Sequence, residues 1–247
     1  MRTGKSERKT VGSERKNAGL GLNNVRLEMK ITLPLYKIAY SLCFTVILSM
    51  IRGVILTYEI GISMEAPMAL LALVFCADTY VQEITGRRSE VWRLYPMKNK
   101  LASMALRMGI QEGMLFLLSA AGYGMFILIQ RPLSLYTAGE STENEWSMFL
   151  GFLLAMFVTL WFWGMFSAVL SCLLRSQWAG IGCGLVLWLV TNSTFGKAVL
   201  GDWNLFSYTF RDIENGGDLS WLWGKALCAG LCVIMALLAP QIMRKRG

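Results

Sequence analysis

The chain has 247 residues, of which 55% are hydrophobic and 16% charged, with a formal net charge of +8 and no histidine. An ordinary soluble domain carries roughly 45–50% apolar and about 25% charged residues, so lipid rather than water is the expected solvent. The missing histidine excludes HExxH zinc sites and Ser-His or Cys-His nucleophile pairs.

Residues 1–21 are rich in Lys, Arg, Ser and Gly with no apolar period and are expected to form a disordered cytosolic tail. Gly4-Lys5-Ser6 mimics the end of a phosphate loop, but neither a strand nor a glycine-rich turn precedes it, so it cradles no phosphate. Residues 22–33 mix Leu22, Val25, Leu27, Met29 and Leu33 with polar side chains before Pro34 interrupts, which predicts a short amphipathic helix in the membrane interface. The first long apolar stretch begins too late and runs too far to be a signal peptide.

Apolar runs then recur at 38–58, 67–81, 108–129, 148–170, 179–195 and 221–240. Each approaches the roughly 20 residues that a helix needs to cross a hydrocarbon core. They are continuous rather than alternating, which favours six helices over a β-barrel. Basic residues cluster at 1–37, at 83–107, at Arg175 and at Arg244, Lys245 and Arg246, whereas the intervening loops carry Glu140, Glu143, Glu145, Asp212, Glu214 and Asp218. By the positive-inside rule both termini are expected in the cytosol of a multi-pass cell (inner, cytoplasmic) membrane protein. The basicity therefore reports orientation and implies no nucleic-acid partner. Arg131, Lys197, Arg211 and Lys225 fall on the outer side in this reading.

Few charges lie within the runs. Asp78 and Glu112 are each placed about one turn inside the cytosolic boundary, within reach of Arg87, Arg88 or Arg107. Arg52 lies in the outer part of the first run and is expected to snorkel outward or to meet Glu59 or Glu65. Structural pairing between helices is the favoured role for all three, and no proton relay through the centre is visible. The six cysteines form no paired CxxC motifs, so no metal site is expected; they read as small packing residues. Gly109/Gly113 and Gly180/Gly184 have the spacing that lets helices approach closely. Trp161, Trp163, Trp178, Trp188, Trp221 and Trp223 are expected mainly near span ends as an aromatic belt. Trp203 to Tyr208 form an outer segment apolar enough to fold back onto the membrane.

Between the second and third runs, Val91, Trp92, Leu94 and Tyr95 sit among charges, and Pro96 closes the stretch. That pattern suits a short cytosolic helix docked on something, or one lying on the headgroups. Glu83, Gly86, Glu90, Leu94 and Pro96, followed by basic residues to Lys100, resemble the signature of ABC-2-type permeases. The order of parts over residues 22–243 resembles that family too. It runs as an amphipathic helix, two spans, a cytosolic helix, three spans, an apolar outer segment and a last span.

The resemblance implies an all-α fold like that of ABC-2 (type V) exporters, with one permease domain at 22–247. The cytosolic helix would be a coupling helix on a separate ABC ATPase subunit, where ATP and Mg would be bound. Trp92, Leu94 and Tyr95 would be its apolar anchors, and Arg87, Arg88, Glu90 and Arg93 its polar rim. A second permease subunit, identical or not, would complete the route for a hydrophobic or amphipathic cargo such as a peptide, antibiotic or lipid-like molecule. The chain itself is expected to carry no catalytic site and no cofactor. A non-transporting membrane scaffold or assembly protein, and a secondary transporter, are the competing readings; no inverted repeat is evident for the latter.

Overall fold

The computed structural model describes residues 25–81, 83, 97–133, 145–211 and 219–246. The expected tail at 1–21, the acidic stretch 134–144 and, within the docking segment, Gly86, Arg87, Arg88, Glu90, Trp92, Arg93, Leu94, Tyr95 and Pro96 lie outside the described residues. The helices in chain order are α1 (Val25–Thr32), α2 (Leu35–Ile51), α3 (Glu59–Cys76), α4 (Met97–Gln130), α5 (Glu145–Leu174), α6 (Gln177–Thr191), α7 (Thr194–Leu200) and α8 (Trp221–Arg246).

Solvent preference is written most plainly on α2. Its buried residues are Lys37, Ser41, Thr45 and Ser49, one per turn along a single stripe. Its exposed residues include Leu35, Tyr36, Leu42, Ile47, Met50 and Ile51. A helix in water would present the opposite faces. In lipid this polarity is the stable one, because apolar side chains cost nothing against acyl chains while polar ones must find partners inside the protein. The hydroxyls of Ser41, Thr45 and Ser49 do so by donating to the carbonyls of Ile38, Ser41 and Val46 in their own helix.

Among the described residues, four helical stretches are long and apolar enough to cross a membrane: Glu59–Cys76, Lys100–Gln130, Glu145–Leu174 and Trp221–Arg244. Two bent pairs raise the number to six if each makes one span: α1 with α2, bent by 61°, and Gln177–Thr191 with Thr194–Trp203, bent by 74°. The first bend falls at Pro34, whose ring ends the helix that precedes it. At the second, the Ser193 hydroxyl caps α7 by accepting from the Gly196 amide, and a Cβ on Gly196 would lie 2.3 Å from the Val190 carbonyl oxygen. The protein is thus an all-helical bundle built for a multi-pass membrane location.

Of the four long helices, α3 is the most enclosed and α8 the least. Around α3 pack α5, α4 and α6, with a core that includes Met64, Met68, Leu73, Phe75, Phe152, Phe162 and Trp163. A smaller cluster of Tyr80, Met104, Cys172 and Met243 gathers the end of α3, the start of α4, and the ends of α5 and α8. The start of α2 is brought to this same end, because Lys37 pairs with Asp78 just after α3. This is the basic end of the bundle. At the opposite end Gln130 stitches the loop after α2, accepting from the Val54 amide at 2.7 Å and donating to the carbonyls of Ser49 and Arg52 at 2.7 and 2.6 Å.

Of the two small-residue pairs, only Gly180/Gly184 makes close contact. A Cβ on Gly180 would lie 2.7 Å from the Ser171 Cα, and one on Gly184 would lie 2.3 Å from Leu73, whereas Gly109 and Gly113 face open space. Opposite signs are therefore expected in a thermal unfolding series in detergent. Gly180→Ala should lose about 1–3 kcal/mol by overpacking. Gly109→Ala and Gly113→Ala should be neutral or gain up to about 1 kcal/mol from reduced backbone freedom.

The tryptophans divide likewise. Trp178 and Trp223 are exposed, as a belt requires, but Trp163 is fully buried in the middle of α5. Its ring stacks on Phe206 at 5.4 Å, and Trp188 reaches inward to donate to the Ala66 carbonyl at 2.9 Å.

Candidate functional site

The segment after α7, expected to fold back onto the membrane, folds into the bundle itself. Asn204, Leu205, Phe206, Ser207 and Tyr208 are all buried. Two of its side chains find partners on other elements, while the Phe206 amide donates to Asn204 Oδ1 within the segment. The Asn204 amide donates to the Thr191 carbonyl at the end of α6, and the Ser207 hydroxyl donates to the Trp221 carbonyl at the start of α8. Close approach to α8 requires Gly224, where a Cβ would lie 2.2 Å from the Asn204 carbonyl oxygen.

Beneath this inserted segment lies the deepest charge pair among the described residues. Glu65 of α3 is 0% exposed and Lys225 of α8 is 4% exposed, and the Lys225 ammonium donates to Glu65 Oε1. Lys225 Nζ also donates to Thr159 Oγ1 of α5 at 2.7 Å and to the Leu205 carbonyl at 3.0 Å, so all three ammonium protons are used. Glu65 Oε2 accepts from the Thr209 amide at 2.7 Å and from the Thr209 hydroxyl at 2.5 Å. Gly122 of α4 packs on Met64, the neighbour of Glu65. It stands eight residues from Gln130, or about 12 Å along the helix. The pair is thus well inside the apolar slab. Its hydrogen bonding is complete, which suits a fixed brace that holds the inserted segment against three helices.

A second polar group occupies the basic end. Lys37 donates to Asp78 and to the Phe75 carbonyl, the latter at 2.9 Å, with its ammonium 5.1 Å from the centre of the Phe75 ring. Thr79 Oγ1 lies 2.6 Å from Gln111 Oε1 of α4. Gln111 and Gln130 are separated by nineteen residues of one helix, about 28 Å, close to the roughly 30 Å of a bilayer core. The two glutamines therefore mark the polar rims of the slab. A cleft at the basic rim is lined by Ile31, Thr32, Lys37, Asp78, Thr79, Arg107 and Gln111.

Just beyond it Arg107 of α4 binds two carboxylates from different elements. Its Nε lies 2.6 Å from Glu28 Oε2 of α1, and its Nη1 lies 2.9 Å from Glu83 Oε1. Ser103 donates to the other Glu28 oxygen at 2.7 Å. This network ties the amphipathic helix α1, and the residue at the root of the 84–96 segment, to one rigid helix.

No family model matches the chain, and no curated protein or solved structure is measurably similar to it.

The residues singled out from sequence are placed as follows. Glu83 is buried and held by Arg107 within the chain. Asp78 takes Lys37, a cation assigned from sequence only to the basic flank, while Arg107 turns to Glu28 and Glu83. Glu112 is buried, accepting only from the Cys76 thiol at 3.5 Å, and its second oxygen has no hydrogen-bond partner. Arg52 is exposed just past the end of α2. Its alternative partners are engaged elsewhere: Glu59 accepts from the Ile55 and Leu56 amides, and Glu65 holds Lys225.

Glu65 and Lys225 are what the sequence reading missed. Lys225 was assigned to the outer loop side and Glu65 to the approach of a span starting at Pro67. In the fold α3 runs unbroken through Pro67, and α8 starts beneath the inserted segment, which draws both charges inside. The available signal was a pair of opposite charges, Lys225 within the last apolar run and Glu65 at the edge of the second, each needing a partner if drawn into the bundle.

Proposed function

We propose that this chain is the membrane-spanning permease subunit of an ATP-driven ABC exporter, moving a hydrophobic or amphipathic cargo and energised by a separate ATPase subunit. One observation supports this reading. The Glu28–Arg107–Glu83 network joins α1 and the root of the 84–96 segment to α4, a 34-residue helix that runs from the basic end to Gln130. A push on that segment would be delivered along a helix about 50 Å long. The order of parts in the sequence, and the resemblance of Glu83, Gly86, Glu90, Leu94 and Pro96 to the ABC-2 pattern, support the same reading. In it the basic end faces the cytosol, Trp92, Leu94 and Tyr95 anchor the ATPase, and a second permease subunit completes the route.

The test is co-purification of an ATPase from native membranes, with hydrolysis that depends on this chain. Trp92→Asp or Leu94→Asp should leave insertion intact and cut ATPase recovery at least tenfold, as expected for buried aromatic or aliphatic anchors. Full recovery in both variants, or labelling of residues 87–100 from outside the cell, would overturn the reading.

A secondary transporter is the reading favoured by the charges at depth, since ionisable groups within membranes commonly mark ion pathways. Transport that survives ATP depletion and collapses with the proton gradient would select it. A scaffold or assembly role would show neither dependence.

A further inference from the structure

The described bundle contains one buried carboxyl that no cation meets by hydrogen bond or ion pair. Glu112 is 6% exposed, on the face of α4 turned toward α3 and α5. From α3 the Cys76 thiol approaches Oε1 at 3.5 Å. From α5 comes Gly164, where a Cβ would fall 1.8 Å from that same oxygen and 3.0 Å from the Cys76 sulfur. From α8 the Cys232 thiol stands within electrostatic reach of Glu112. Lys37 and Arg107 are committed to carboxylates elsewhere, at Asp78 and at Glu28 and Glu83, and the adjacent Gln111 turns away to Thr79 and the Phe75 carbonyl. Glu112 Oε2 has no donor at all.

We propose that Glu112 is a proton-binding site, carried as the neutral acid while α4 is closed on α5 and able to lose its proton only when those helices part. A carboxylate presents about four acceptor positions, and here a single weak thiol donor faces them. Burying that charge without a cation is far costlier than burying the acid. Gly164 fixes the geometry, because any side chain there would occupy the place of the carboxyl. The backbone of α5 therefore closes directly over Glu112 and keeps water away. Separation of α4 from α5 would admit water and release the proton, so proton occupancy favours the closed bundle. This inference goes beyond the exporter reading and does not depend on it, since neither an ATPase nor a cargo enters.

The experiment treats the purified full-length protein in detergent with dicyclohexylcarbodiimide, an apolar reagent that requires a protonated carboxyl. The acid proton passes to a carbodiimide nitrogen, the carboxyl oxygen bonds to the central carbon, and the acyl group then migrates to nitrogen as a stable N-acylurea, with nothing lost. Peptide mapping should place the adduct on Glu112 at neutral pH, several-fold above any adduct on Glu65, and a water-soluble carbodiimide should give none there. Infrared difference spectra of wild type against Glu112→Gln should show loss of a neutral-carboxyl carbonyl band. Glutamine matches the shape of the neutral acid, so elution and thermal stability should be close to wild type. A difference spectrum that loses carboxylate bands, or an adduct of the water-soluble carbodiimide mapped to Glu112 at neutral pH, would overturn the proposal. The peptide map needs no variant, so it decides even where Glu112→Gln fails to fold.

Discussion

Lys225→Met is expected to be the most damaging single substitution in the bundle, costing about 3–5 kcal/mol, because it leaves the carboxylate of Glu65 fully buried without its cation. Glu65 would retain the Thr209 amide and hydroxyl on one oxygen and the Thr159 hydroxyl at 3.1 Å on the other, but none of these donors carries a positive charge. Glu65→Gln on top of Lys225→Met should recover most of the loss, since two neutral side chains of similar size remove the stranded charge. Thermal unfolding in detergent, followed by size-exclusion profile, measures both. A double variant no more stable than Lys225→Met alone would show that the pair acts by packing rather than by charge.

The second large effect is expected at Gly224. A Cβ there would lie 2.2 Å from the Asn204 carbonyl oxygen and 2.7 Å from the Ser207 Cβ, and the first of these is backbone that cannot swing away. Gly224→Val should lift the 204–209 segment off α8, separating Thr209 from Glu65 and Phe206 from Trp163. The cost is expected at about 3 kcal/mol, the upper part of the range for overpacking. Thermal unfolding in detergent, followed by size-exclusion profile, measures the loss. Gly230→Val, on the same helix but facing open space, serves as the control and should change nothing.

The sequence made the solvent, the helical class and the positions of the apolar runs legible, because run length and charge placement are local properties. Residues 25–32 also form the helix that the mixture before Pro34 predicts. Depth was less legible. The start of α8 at Trp221 agrees with the predicted run, but what puts Lys225 inside is the 204–209 segment, some twenty residues earlier, packed over it rather than any feature of its own neighbours. The same holds for Trp163 and Trp188, which look like belt residues by composition; Phe206 is inserted between them, and Trp163 is core while Trp188 is half-buried against it. Polar pairing across helices depends on which faces meet. For that reason Lys37 and Asp78, 41 residues apart, were seen as separate charges rather than as one contact.

Glu65 and Lys225 are 160 residues apart, which sets an order on biogenesis. The third helix leaves the ribosome long before the eighth, and during that interval its glutamate has no counter-ion. The nascent chain must keep that carboxyl out of the hydrocarbon until the last helix arrives. Chains truncated before α8 would never meet this condition, and cellular quality control would see them as unfinished.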